Sequence, residues 1–178
     1  MTRDDLFYIL RPIIIRVTGV SECILLDPNA PSPNGEYASI EPYSSIDEVG
    51  QGWTNQEEVD SLDGNPDFKD LKLTVISSQE VKVSVNFYRG EALNFASKLL
   101  QADKLPSTHD DLFANGLGWM RVGAVNNLTA LNQARFEQRA QIDIFLRRLE
   151  EVASETVQQI YSVGYEIENE DGTVISNG

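Results

Sequence analysis

The strongest constraint in the chain is an alternation of apolar and polar residues through its middle. Leu71, Leu73 and Val75 alternate with Lys72 and Thr74, and Val81, Val83, Val85 and Phe87 alternate with Lys82, Ser84 and Asn86. Successive side chains of a strand point to opposite faces, so this pattern predicts strands with one buried face, as antiparallel sheets have. Ser77, Ser78, Gln79 and Glu80 interrupt it, which predicts a β-hairpin turning there and closed by Arg89 and Gly90. Residues 91–102 then place Leu93, Ala96, Leu99 and Leu100 on one side of an amphipathic helix.

The flanks are read the same way. Asp4 or Asp5 can cap a helix striped by Phe7, Leu10, Ile14 and Val17. Pro12 lacks an N–H and is expected to bend or split that helix, and Gly19 to end it. Residues 23–26 read as a short strand, and Pro28, Pro31 and Pro33 make residues 27–35 a loop. Residues 37–43 read as a strand stopped near Pro42. Residues 46–70 show no clean period and read as a long acidic loop, a length that usually carries function or motion. A loop at 104–109, a strand at 117–125 and a last strand at 160–167 follow. Residues 134–152 fit a helix through Ile142, Phe145, Leu149 and Val152 and a strand through Ala140, Ile142, Ile144 and Leu146; periodicity does not choose, and helix propensity alone slightly favours helix. The resulting order, α-β-β-β-α-β-β, predicts an α+β fold with a mainly antiparallel, mixed sheet flanked by two helices. A chain of 178 residues suits one domain, placed at residues 1–150, with 151–178 as an acidic C-terminal extension that is partly strand.

The formal charge is -14 and it is unevenly spread. Residues 47–70 hold eight acids and one base, and residues 150–178 hold seven acids and no base, so these two segments carry the whole imbalance. A protein that grips phosphates needs a basic footprint, so tight nucleic-acid binding is disfavoured. One Cys excludes a disulfide within the chain, and one Cys with one His does not make a zinc site. The apolar stretch at residues 6–17 is broken by Arg11, Pro12 and Arg16, too short and too charged to span a bilayer. The protein is therefore expected to fold in the cytoplasm.

No convergent catalytic constellation is visible. His109 stands beside Asp110 and Asp111 and could act as an oriented base, but a loop His next to a helix start is the simpler reading. Cys23 at the edge of an apolar run reads as a buried structural thiol. Asp60, Asp63 and Asn65 around Gly64 do not have the spacing of a calcium loop. Gly116 and Gly118 lack the rest of a dinucleotide fingerprint, and Asn127-Leu128-Thr129 means nothing as a sequon without secretion. No catalytic, cofactor-binding or metal-ligating residue is assigned, and a binding or structural protein is expected.

From Val81 onward the chain is similar to a viral family. Residues 81–92, Val-Lys-Val-Ser-Val-Asn-Phe-Tyr-Arg-Gly-Glu-Ala, resemble the strand-to-helix junction of the neck or tail terminator proteins of tailed bacteriophages. Gly116-Leu117-Gly118, Asn127-Leu128-Thr129-Ala130-Leu131 and residues 136–143, Phe-Glu-Gln-Arg-Ala-Gln-Ile-Asp, follow in the same order. The proline loop and Tyr-Ala-Ser-Ile strand within residues 33–43 are also similar. The likeness covers roughly residues 33–150, poorly over 46–70, and the acidic extension past Glu150 is less typical of the family.

The resemblance implies a strand rather than a helix over residues 136–149. It implies a subunit that joins copies of itself in a homohexameric ring. Such a ring ends the tail tube and sheath and meets the head-tail connector and other neck proteins, leaving a channel for DNA. It implies no catalysis, no cofactor and no membrane, and a place in the virion after assembly in the host cytoplasm. Tyr88, Arg89, Trp119, Arg121, Phe136 and Arg139 are the expected subunit or tail interface. Glu57, Glu58, Asp60 and Asp63 are expected in an acidic loop facing the lumen or a partner. Two other readings compete: an acidic protein-binding module that imitates the charge of DNA, and a small hydrolase built on His109.

Overall fold

In a computed structural model, which describes residues 1–27, 31–65, 68–132, 135–158, 165–168 and 174–177, the alternating run is one strand rather than a hairpin. The chain-order elements are α1 (Arg3–Thr18), β1 (Glu22–Leu25), β2 (Tyr37–Glu48), β3 (Trp53–Asp60), β4 (Lys69–Tyr88), α2 (Ala92–Leu99), α3 (Pro106–Phe113), β5 (Leu117–Val122), β6 (Asn126–Asn127), β7 (Ala130–Asn132), β8 (Arg135–Glu137), β9 (Arg139–Val157), β10 (Tyr165–Glu168) and β11 (Val174–Asn177). The expected turn at Ser77-Ser78 does not form, although serine is a common turn residue, because both side chains find partners on neighbouring strands. Both serines are buried and satisfied in place. Ser77 Oγ donates to Glu48 at 3.1 Å, and Ser78 Oγ accepts from Arg147 Nε at 2.7 Å.

Seven strands join in one mixed, mostly antiparallel sheet, so the α+β expectation holds. Its path is β1-β2-β4-β9-β5, with β3 paired to β4 and β6 to β9. Strand β1 runs parallel to β2, while β2 is antiparallel to β4 and β5 to β9. Contacts between β4 and β9 step in opposite directions, from Asn86–Arg139 through Ser84–Asp143 to Ser78–Arg147, which makes that pair antiparallel too. The ambiguous segment is thus strand, with Ala140, Ile142, Ile144 and Leu146 inward, as the family resemblance implied.

The chain divides into two compact units, one of residues 1–51 and 77–150, the other of residues 52–76 and 151–178. In the larger unit the inward residues of β2, β4 and β9 pack with Leu6, Leu10, Ile13 and Ile14 of α1, Phe95, Ala96 and Leu99 of α2, and Leu112 of α3. Cys23 belongs to this core, where burial pushes its thiol up to about 12. Helix α1 is capped by Thr2 rather than by Asp4 or Asp5: Asp5 N donates to Thr2 Oγ1 (3.1 Å) and Thr2 N to the Asp5 carboxylate (2.8 Å). Pro12 sits inside the helix on its exposed side without ending it, and Gly19, at φ 79°, does end it. Strand β2 runs through Pro42 instead of stopping there, because a register shift between Glu41 and Ser45 removes the need for an N–H at that point. Residues 104–109 are not all loop: Pro106 starts a third helix, a first-turn position where its missing N–H costs nothing.

In the smaller unit, the stretch read as a long acidic loop is mostly strand. Residues 53–60 pair antiparallel with residues 69–76, with Trp53 opposite Ile76 and Asp60 opposite Lys69. Gly64 at φ 72° shapes the turn between them, where Leu62 N donates to Asp70 at 2.8 Å. The missed signal was weak: four polar residues, Thr54 to Glu57, mask the alternation because neither side chain face of β3 is buried. Strands β10 and β11 form an antiparallel pair, so the expected strand at 160–167 is met at 165–167, while 160–164 lie outside the described residues.

Candidate interaction surface

One face of the larger unit's sheet carries the helices, and the outward positions of β2, β4 and β9 make the other. Tyr37 and Tyr88 lie opposite each other in register and stack, ring centroids 4.6 Å apart and planes 9° apart. Burial, and then the neighbouring Tyr88, hold the Tyr37 hydroxyl above its ordinary pKa. Two guanidiniums cover the pair, with Arg139 Cζ 5.1 Å from the Tyr88 centroid and Arg89 Cζ 5.7 Å from that of Tyr37. Arg89 is held in the left-handed region at φ 65°. Its amide donates to the Gln138 carbonyl at 2.8 Å, its Nε meets Glu137 at 3.1 Å, and its Nη1 reaches the carbonyls of Pro33 and Gly35. A strained backbone fixed by that many partners aims the side chain at one place.

Three of the six expected interface residues, Tyr88, Arg89 and Arg139, therefore form one cluster. Trp119 and Arg121 stand elsewhere, on β5. Arg121 Nη2 meets Glu80 at 2.8 Å and its Cζ lies 3.4 Å from the Phe145 centroid. Trp119 is half-buried and its Nε1 has no hydrogen-bond partner among the described residues. Residue 136 is in β8, but the Phe136 side chain lies outside the described residues.

Sequence reasoning missed two members of this face, and Arg148 on the helix-bearing one. Tyr37 lies within the expected 37–43 strand on the face opposite Ala38 and Ile40, and its neighbours on that face leave it only 7% exposed. Asp143 joins Lys82 (2.8 Å) and Ser84 across β4 and β9. On the opposite, helix-bearing side, where position 148 shares the face of Ile142, Ile144 and Leu146, Arg148 bridges Tyr43, Gln79 and Glu150, with its Nη1 2.9 Å from the Tyr43 hydroxyl. Except for Glu150, two residues along, the partners of Asp143 and Arg148 are 59 to 105 residues away in sequence, so nothing local could have announced them.

The four expected acidic residues sit together in the smaller unit, all exposed, on β3 and the turn after it. Asp60 pairs with Lys69, whose charge and hydrogen bond hold its carboxyl below the usual range, and Asp63 accepts from Gln158 Nε2 at 3.2 Å. The fold also gathers what the sequence separates. The smaller unit holds twelve acids against two bases, -10 of the chain's -14.

His109 is exposed and its Nε2 lies 2.6 Å from the Asp103 carbonyl, not from a carboxylate that would orient it as a base. Among the described residues no group of three or more His, Cys, Asp or Glu could hold a metal ion, and no helix is long and apolar enough to cross a membrane. No curated protein matches the chain. A family model for phage neck terminator proteins matches residues 4–172, and so takes in both the poorly matched 46–70 stretch and the extension past Glu150 that had looked less typical. That match over nearly its whole length shows that this chain belongs to the family of phage neck terminator proteins.

Proposed function

We propose that copies of this chain close into a homohexameric ring that ends the tail tube and sheath and joins the tail to the head-tail connector, leaving a channel for DNA. The family match over residues 4–172 carries the reading. Stable interfaces bury about 800 Å² per partner, and a ring gives each subunit two of them. The Tyr37–Tyr88 stack with Arg89 and Arg139, and the Trp119–Arg121 region of β5, are the surfaces we assign to contacts with copies or with tail proteins. Aromatic rings and arginines are the residue types that such contacts favour.

The charge of the smaller unit supports its place beside the DNA path or against a basic neck protein. Glu57, Glu58, Asp60 and Asp63 repel phosphate, whereas each added Lys or Arg would add salt-dependent affinity. The repulsion reaches about 8 Å at physiological salt, so it acts only where acids line a narrow passage. In this role the protein binds and positions, and makes or breaks no covalent bond; it assembles in the host cytoplasm and stays in the virion neck.

Electron cryomicroscopy of the assembled particle tests the proposal. The expected result is a ring of six copies between tail tube and connector, with the acidic unit facing the channel or a neighbouring neck protein. Particles whose neck holds no density for this chain would remove it.

A further inference from the structure

A cavity of about 290 Å³ opens on the larger unit, lined by Ala92, Leu93, Asn127, Thr129, Gln138 and Arg139. Among the described residues Arg139 is its only charged wall, and none of them compensates that charge. Its Nη2 donates to the neutral Asn86 Oδ1 at 3.1 Å, its plane approaches the Tyr88 ring, and its Nε is buried with no hydrogen-bond partner. Among the described residues no carboxylate lies within ion-pair distance of Arg139, whereas Arg89, Arg121 and Arg148 on the same unit each have one. The Nε is closed off from solvent, so what the cavity offers an acceptor is the outer edge of a half-buried guanidinium that has no counter-charge, and such a charge is costly until one completes it.

We propose that this cavity is an oxyanion site that takes a carboxylate, the side chain of an Asp or Glu on a neighbouring polypeptide. The guanidinium fork matches the two oxygens of a carboxylate, and charge-assisted bonds of this kind are the strong ones. Further donors stand around it. Asn127 Oδ1 already accepts from Thr129 N at 3.0 Å, which leaves the amide NH2 of Asn127 to donate. Glu91 places no side-chain cap on α2, so the first-turn N–H of Leu93 has no intrahelical acceptor. A nucleic-acid strand is the poorer occupant, because its many phosphates meet a chain of charge -14, while one carboxylate meets only the local field of the cavity. The site stands on these residues whether or not the ring does.

The test is a titration of the ¹⁵N-labelled full chain at fixed ionic strength. The probes are an end-blocked Gly-Glu-Gly peptide, its Gly-Gln-Gly counterpart, inorganic phosphate and a short single-stranded oligonucleotide. The glutamate peptide is expected to shift the Leu93 and Thr129 amides saturably, and the glutamine peptide to leave them in place. Arg139→Gln should weaken the glutamate peptide by about tenfold or more, the loss expected for a charge-assisted bond. Gln138 is exposed, so Gln138→Ala should weaken it severalfold with the rest of the spectrum unchanged, a check that holds even if Arg139→Gln disturbs β9. Absence of saturable shifts with the glutamate peptide, or equal affinity in the folded Arg139→Gln variant, would overturn the site. Tighter Arg139-dependent binding of phosphate or the oligonucleotide would overturn its assignment to a carboxylate.

Discussion

Asp143 sits under opposed influences. Burial raises its pKa, but the hydrogen bonds from Lys82 and Ser84 and the Lys82 charge outweigh burial and hold it below the ordinary carboxylate value. A depressed folded-state pKa stabilises the fold above the unfolded value and loses that contribution as pH falls through the folded value. Asp143→Asn should therefore cost about 1–2 kcal/mol near neutral pH, and the gap from the parent should close as pH falls below about 4; a gap independent of pH in acid-melting curves would contradict the linkage. Gly90 makes a second case. Its φ of 50° disfavours any side chain, and a Cβ there would run into the Glu36 side chain. Gly90→Ala should cost about 1–2 kcal/mol in urea unfolding, mostly through backbone strain. The role of Gly90 was legible in the sequence, because a Gly directly after an alternating run marks its end. Lys82 and Ser84 were legible only as outward residues, because their partner is about 60 residues away in β9.

Strand β4 shows what alternation can and cannot say. It assigned the inward side of Val81, Val83, Val85 and Phe87 correctly, because the two-residue period is a property of the backbone itself. It could not say that the strand passes straight through Ser77 and Ser78, since the reason lies in Glu48 and Arg147 on neighbouring strands. Strand β9 was undecided for a related reason: its residues suit helix and strand alike, and pairing with β4 and β5 decides. Ile142 is fully buried at the centre of that pairing, so Ile142→Ala should cost about 2–5 kcal/mol. The cap of α1 gives a milder outcome. Thr2→Ala removes one side of the reciprocal Thr2–Asp5 pair and should lower stability by about 1 kcal/mol, read from denaturant midpoints with an unchanged slope.

For the molecule entire, the two acidic stretches were plain in the composition, but not that residues 52–76 and 151–178 fold into one unit, because residues 77–150 lie between them in sequence. Twelve acids against two bases in that unit imply self-repulsion that salt relieves. Moving from about 10 mM to about 150 mM sodium chloride shortens the screening length from roughly 30 Å to roughly 8 Å, so the melting temperature should rise. A fall on adding salt would mean that attractive ion pairs outweigh the repulsion. The buried Cys23 has a practical corollary. It is the chain's sole thiol and stays protonated and out of reach at neutral pH. A cysteine engineered at an outer position such as Glu57 would then be the only group open to maleimide dyes or bifunctional linkers, and its neighbours in an intact particle could be tethered covalently without first replacing the native sulfur.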